Sequence, residues 1–406
     1  KINIIPQVSG SSAAGSSVMT YGLALRRRTL LGTEIRAEGQ AAATRNADAQ
    51  DLFRDTVTVS LQQPLLRSAG VLVNRQPITL AESRQAAARR EIELRKTDVV
   101  MLVAETYEEL LRLQMEQALQ ARTIGRLEKL FKLAQARERQ GRATRVDTLR
   151  SERRLGDAGL LLSGTGERLK TARTEFAELL GAPPATAFTA LTYPAPSVVA
   201  TNTEVAVLTA LSNRLDYAQV LHDYRDAERG IAVARNFLWP DLNLALSYQR
   251  LGEGESSSTA AKLDSDSWFV GFQLKSDLPL RAGMSAVNRA SIGAEMANVR
   301  VETFGDAVAK QVMQALSNYE RAKSEIGTAE RNYRLARRQV EFARRMFERG
   351  KGDSFSASDA EDELQSAEAR WLTAQSAAAV TTYRLLRVTG TLLEYPADIK
   401  PRRHDK

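Results

Sequence analysis

Apolar residues recur along this chain in two distinct registers. From Phe304 to Phe347 apolar or small residues fall at Phe304, Val308, Val312, Ala315, Tyr319, Ala322, Ile326, Ala329, Tyr333, Ala336, Val340, Ala343 and Phe347. The steps are almost strictly three and four. A seam of that period keeps one helix face turned toward a partner helix, and at ~1.5 Å per residue these positions predict a rod of about 65 Å. A related seam, through Val103, Leu110, Leu113, Ile124, Leu127, Phe131 and Ala134, predicts a helix from after Gly70 to about Glu138, interrupted in its pattern by Gln117 and Gln120. Return helices are predicted from Leu155 through Ala158, Leu162, Leu169 and Phe176 to Gly181, and from Ala360 through Leu364, Trp371 and Leu385 to Gly390. The stretch from Thr203 to about Ala234 is also helical in pattern and ends at Trp239-Pro240. Arg139-Gln140-Gly141-Arg142 and Glu348-Arg349-Gly350 break the long helices, because glycine suits the left-handed conformation in which helices often end.

The second register has period two. Ile2, Ile4, Pro6 and Val8 begin it, and a Ser/Gly/Ala loop is expected over Ser9–Ser17. Tyr21, Leu23 and Leu25 alternate with small or polar neighbours, as do Thr33, Ile35 and Ala37, and then Val57, Val59 and Leu61. Leu242, Leu244, Leu246 and Tyr248 form the clearest strand, and Trp268, Val270, Phe272 and Leu274 return after a Gly/Ser/Asp-rich loop over Arg250–Ser267. Short alternating segments fit transmembrane barrel strands, where a leading Trp suits an interfacial girdle. Taken alone, they fit a half-buried antiparallel sheet in a soluble domain slightly better.

The pattern repeats. Subtracting 209 places Gly350 on Gly141, Leu364 on Leu155, Ala367 on Ala158, Val388 on Leu179 and Gly390 on Gly181, while Val312, Tyr319, Tyr333 and Val340 fall on Val103, Leu110, Ile124 and Phe131. Val-Asn-Arg recurs at 73–75 and 287–289, an offset of 214, so an insertion lies between. The chain is therefore a tandem duplication of strands, long helix, turn and shorter helix. Each strand group is too small to close a barrel, and each helix pair has a seam but little compact core. Further copies of the same chain are the simplest completion, since a barrel closed by several copies leaves no strand edge unpaired.

Composition narrows the chemistry. The absence of Cys removes disulfides, thiolate metal sites and thiol nucleophiles. The two His, His222 on a helical stretch and His404 in a basic tail, leave little for acid–base catalysis. A formal charge of +8 permits binding to nucleic acid or an anionic surface, yet the Arg residues lie beside Glu and Asp along the helices, as in Arg89-Arg90-Glu91, so a solvated helical face explains them. No segment approaches the ~18 uninterrupted apolar residues of a spanning helix. The chain opens inside a strand-like run, and its true N-terminus is expected upstream of Lys1. Gly350-Lys351-Gly352-Asp353-Ser354 lacks the upstream Gly of a phosphate loop and follows a helix rather than a strand.

The duplicated layout, the expected helix-to-strand junctions at Pro6 and Trp239-Pro240, the Pro-Leu strand exits at 64–65 and 279–280, and the Gly-started turns resemble the TolC-like outer-membrane efflux protein family over essentially the whole chain. Asn213-Arg214-Leu215-Asp216 is similar to the family's Arg-Pro-Asp element, with Leu215 in place of Pro. The resemblance implies an α+β membrane protein in which tandem-duplicated strands and long coiled-coil helices complete a transmembrane β-barrel and a periplasmic α-helical barrel as a homotrimer. Strands and loops of the first repeat are expected over 1–63, its helical hairpin over 64–181, a linker over 182–202 and the first helix of the second repeat over 203–238. The strands of the second repeat follow over 239–280, its helical hairpin over 281–390 and a tail over 391–406. The first helix of the first repeat lies upstream of Lys1 on this reading. The family commonly shows two strands per repeat, but residues 20–40 read as an extra pair: six wall strands per chain and eighteen in a trimer, or alternatively an extracellular hairpin outside the wall.

What the resemblance implies for function is a passive exit channel in the cell outer membrane, with its helical part in the periplasm. It would pass small molecules or ions from an inner-membrane transporter engaged through a periplasmic adaptor protein. Outer-membrane lipid is the other partner, with no nucleic acid, no cofactor, no metal and no enzymatic activity. Alternatives are the exit duct of a type I protein-secretion system, or a periplasmic coiled-coil adaptor without a pore. The family closes its pore at the helix turns, so Phe347, Asp353, Ser356, Asp359 and Asp362 are gate candidates, and Gly141, Arg142, Arg145, Asp147 and Gly350 are candidates for adaptor docking. Asp353, Asp359 and Asp362 would form acidic rings in a trimer, unless these carboxylates only cap and solvate a turn. The family's best-known member has a basic residue where Gly352 stands, so its polar lock is expected to be altered here.

Overall fold

The computed structural model describes residues 2–13, 16–46, 50–184, 186, 188–191, 202–276, 281–349, 351–352 and 354–401. Four strands come first: β1 (Ile2–Ala13), β2 (Ser16–Arg28), β3 (Glu34–Asn46) and β4 (Leu52–Pro64). Helices α1 (Val71–Arg139), α2 (Arg145–Leu179), α3 (Thr203–Asn213) and α4 (Leu215–Asn236) follow. Then come β5 (Asp241–Gly254), the short α5 (Ser257–Ala260), β6 (Ser265–Lys275), α6 (Arg281–Glu348) and α7 (Ser354–Val388). The chain divides into two compact units, 1–87 with 220–301 and 88–219 with 302–406.

In the first unit the six strands form one antiparallel sheet in the order β1-β2-β3-β4-β5-β6. The extra pair is thus part of the sheet. β2 is hydrogen-bonded to β1 on one side and to β3 on the other along its whole length, and β3 pairs with β4. The turn between β2 and β3 packs on the β4–α1 junction. Gly70 N–H donates to Leu31 O at 3.2 Å and Thr33 Oγ1 donates to Gln63 Oε1 at 2.5 Å. Gly32 has φ +96°, and a Cβ there would meet Pro64 Cγ, Ser68 O and Asn74 Nδ2, all within 2.9 Å. The alternative of a hairpin outside the wall does not fit this anchoring.

Directly paired residues share a face, so the register sorts every strand into two sets. One face carries Ile4 and Val8, Leu23 and Leu25, Val57 and Val59, Leu244 and Leu246, and Trp268 and Phe272. These side chains are open: Val8, Trp268 and Phe272 are each more than 70% exposed. The opposite face is polar, with Gln7, Ser9, Thr58, Ser60, Ser247 and Gln249. Among the described residues, no helix is long and apolar enough to cross a membrane.

Several sequence boundaries shift. The expected Ser9–Ser17 loop is mostly strand, because backbone pairing continues through small residues that carry no pattern. Pro6 lies inside β1 rather than at a helix-to-strand junction. It is tolerated there because β1 is an edge strand whose second side needs no donor within the chain. β5 and β6 likewise extend into the predicted 250–267 loop, which tightens around α5 with a Ser256 cap. The 203–238 helix is broken at Arg214, whose extended backbone (ψ 122°) separates α3 from α4 while its guanidinium holds Asp216 at 2.6 Å and Gln311 at 2.7 Å. Pro279-Leu280, His404 and most of the 182–202 linker lie outside the described residues.

In the second unit the seam is filled. All thirteen seam positions of α6 are buried or half-buried. Val308 and Val312 pack against Ala206 and Ala210 of α3, and Ala336 and Val340 against Ala360, Leu364 and Ala367 of α7. Tyr333 stacks on Trp371 with centroids 5.1 Å apart. In the first repeat Leu110 and Leu113 of α1 meet Leu169, Ala172 and Phe176 of α2. Helices α1 and α7 run antiparallel beside each other, joined by Arg387–Asp98 at 2.5 Å, Arg384–Glu105 at 2.8 Å, Arg122–Glu368 at 3.1 Å and Arg126–Glu361 at 2.6 Å.

The paired helix tips, a candidate gate

The ends of the two helical hairpins meet within the second unit. α1 stops because Gly141 takes φ +67° and turns its N–H onto Glu138 O, while Arg142 N–H reaches Arg137 O at 2.8 Å. α2 starts at a capping box: Asp147 N–H donates to Thr144 Oγ1 at 3.3 Å, and the Asp147 carboxylate accepts from Thr144 N–H at 3.0 Å. That reciprocal arrangement satisfies two amide donors of a helix start. The Asp147 carboxylate therefore serves the turn itself. Arg145 bridges back to Glu138 at 3.6 Å and remains largely exposed, and Arg142 is exposed as well.

Phe347 joins the two tips. It is 2% exposed and packs with Leu127 and Leu130 of α1, Ala158 of α2 and Ala357 of α7. The Arg137 guanidinium lies 4.3 Å from its ring centroid, a cation–π contact of about 1 kcal/mol. One turn away Arg150 of α2 stands 5.5 Å over Phe355 of α7. Arg154 of α2 pairs with Asp362 of α7 at 3.2 Å, so α2 and α7, counterparts in the duplication, lie side by side near the repeat offset.

Burial raises the Asp362 pKa above its ordinary value. Arg154 opposes that shift and the neighbouring carboxylate of Asp359 adds to it. Asp359 and Ser356 are exposed on the first turns of α7. Asp353 and Gly350 lie outside the described residues. Phe347, Asp362, Gly141, Arg142, Arg145 and Asp147 are thus gathered at one pair of tips, together with Ser356 and Asp359.

Two acidic groups were missed in the sequence. Glu361, 4% exposed, receives Arg126 at 2.6 Å, and Glu368, 9% exposed, receives Arg122 at 3.1 Å. Burial raises the Glu368 pKa, against the lowering effect of Arg122 and Arg126. The signal was present: Glu361 and Glu368 stand seven apart, one position after seam residues Ala360 and Ala367, and Arg122 and Arg126 stand four apart. Together these pairs and the Phe347 contact tie α7 and the end of α6 to α1 and α2. Among the described residues no group of His, Asp and Glu could hold a metal ion.

Comparison with known proteins fits this architecture. Residues 207–391 match the family model described as outer membrane efflux protein. The fold is similar to that of the outer-membrane channel OprN, with TM-score 0.71 and 15% identity over 96% of this chain and 81% of that one. It is also similar to VceC of Vibrio cholerae, an outer membrane protein, with TM-score 0.71, 15% identity and coverage of 96% and 86%. The CmeC outer membrane channel of Campylobacter jejuni has TM-score 0.67, 13% identity and coverage of 97% and 78%. At such identities the likeness is one of fold. No curated protein matches the chain in sequence.

Proposed function

We propose that this chain, whose residues 207–391 match the outer membrane efflux protein model, belongs to the TolC-like outer membrane efflux protein family and is the exit duct of a tripartite efflux pump. It would pass small molecules or ions from an inner-membrane transporter and periplasmic adaptor to the outside. The observation that carries the reading is the open apolar face of the sheet. Ile4, Val8, Leu23, Val59, Phe272 and their neighbours form a continuous exposed band, larger in kind than the scattered apolar residues of a soluble surface. Arg27 and Gln63 bound it at one rim, Asp55 and Arg250 at the other. Backing it is a polar face, the two-sided pattern of a barrel wall between lipid and water.

A six-stranded sheet with open edges at β1 and β6 cannot stand in a bilayer, because unpaired backbone groups in hydrocarbon each cost several kcal/mol. Three copies joined edge to edge give an eighteen-stranded closed wall in the outer membrane, with the helices as the periplasmic conduit. The paired tips are the gate: opening separates Phe347 from Leu127 and Leu130, and Arg154, Arg126 and Arg122 from Asp362, Glu361 and Glu368. Asp359 and Ser356 then face the pore mouth, and Arg142 and Arg145 offer exposed cations to an adaptor.

Insertion of the detergent-solubilised oligomer into a planar bilayer tests this reading. Ion conductance is expected, and Arg126→Ala with Glu361→Ala should raise the open fraction. A well-assembled oligomer that never conducts, in wild type or in this double variant, would refute it.

A further inference from the structure

The inserted hairpin β2–β3 differs from the rest of the wall on its polar face. The register places Arg26, Arg28, Glu34, Arg36 and Glu38 there, while Leu23, Leu25, Ile35 and Ala37 take the apolar side. Across the ladder the same rows carry Ser60 and Thr58 on β4, and Ser247 and Gln249 on β5. Beyond the hairpin, charge on this face among the described residues is confined to strand ends: Arg54 with Glu253, and Asp241 with Lys275. A belt of charge thus crosses one hairpin and stops at its borders.

The belt is organised. Arg26 holds Glu34 with two contacts of 2.6 Å, and Arg36 holds Glu38 at 2.9 Å. Gln40 donates to the second oxygen of Glu38, and Arg28 is exposed with no ion-pair partner among the described residues. Arg26 and Arg36 face each other directly across the strands, a like-charge juxtaposition that the two Glu offset. Three Arg stand against two Glu, leaving an excess of one positive charge per chain. Anchoring of the β2–β3 turn by Gly32, Thr33 and Gly70 fixes the belt near the strand ends that lead into α1.

We propose that the polar face of β2–β3 is a solute filter that gives the pore a preference for small anions. The inference rests on the duct reading above. In a three-copy wall it places three such belts around one lumen, with nine guanidinium groups against six carboxylates. Rings of charged side chains select ions at a constriction, and guanidinium groups suit carboxylate and phosphate oxygens through paired N–H donors.

The test is the chloride-to-potassium permeability ratio, measured from the reversal potential of reconstituted oligomers in a KCl gradient. Replacing Arg26, Arg28 and Arg36 by Gln should lower the ratio about twofold or more, and Glu34→Gln with Glu38→Gln should raise it by a similar factor. A version independent of folding uses Arg36→Cys in this cysteine-free chain. On one assembled channel, an anionic methanethiosulfonate reagent should lower the ratio and a cationic one should raise it. A conducting channel whose ratio is unmoved by all three would overturn the filter and leave the duct standing. Absence of conductance in every variant and in the wild type would overturn both.

Discussion

The strands and the helices carry equally regular apolar patterns, and the chain treats them in opposite ways. The period-3.5 seam of α6 is covered within the chain, where Val308 and Val312 are fully buried. The period-two rows of the sheet are left open, with Phe272 and Val8 72% exposed. A seam needs only a line of helix along it, and α3 and α7 of the same repeat supply that. A sheet face needs a whole surface, which none of the described residues provides. On the proposed reading, the difference separates what the single chain folds for itself from what a membrane and further copies complete.

Five substitutions and one titration probe that contrast. Phe347→Ala should have the largest effect, about 3–5 kcal/mol lost from the helical unit, read as a fall in the denaturation midpoint. On the sheet, Val59→Arg faces the proposed lipid and should cost about 2–4 kcal/mol per chain, seen as loss of outer-membrane assembly. Thr58→Arg, one residue away on the polar face, should assemble normally. Equal damage from the two would erase the distinction between the faces.

Glu361→Ala leaves the Arg126 guanidinium without its buried partner and should cost about 1–3 kcal/mol, with a higher open fraction of the channel. Asp147→Ala removes half of a capping box and should cost about 1 kcal/mol, without altering conductance if its role is confined to the turn. The smallest effect concerns pH. Glu368 binds its proton more tightly folded than unfolded, so its contribution to stability is complete below the unfolded pKa and is lost as pH rises through the raised folded value. Glu368→Gln should remove that part of the decline in thermal midpoint across the mildly acidic range. An unchanged pH profile would show that the group carries no such linkage.

Most of the fold was legible because its periodicities are strong. The three/four spacing located α1, α2, α6 and α7, and Gly141, Gly181 and Gly390 mark helix ends through positive φ. Alternation at Tyr21, Leu23 and Leu25 located the extra strand pair. What escaped has physical reasons. Strand growth through Ser9–Ala13 depends on backbone pairing with β2, which leaves no side-chain pattern. The break at Arg214 rests on contacts with Asp216 and Gln311, the latter nearly a hundred residues away. At the tips Phe347 and Asp362 were visible as positions, but Glu361 and Glu368 were not singled out, because Arg126 and Arg122 meet them only through the packing of α1 beside α7. The sign of the belt on β2–β3 was hidden for the same reason, since facing depends on register.

The central claim is that the open edges of β1 and β6 join different copies of the chain. Cysteines placed on their apolar faces, at Ile4 or Val8 in β1 and at Trp268, Val270, Phe272 or Leu274 in β6, test it by oxidative cross-linking in the membrane, free of background because the chain has no cysteine of its own. The account predicts a covalent species of three chains for the pairs in register. A cross-link formed only within single chains, or none from any pair in the assembled protein, would contradict it.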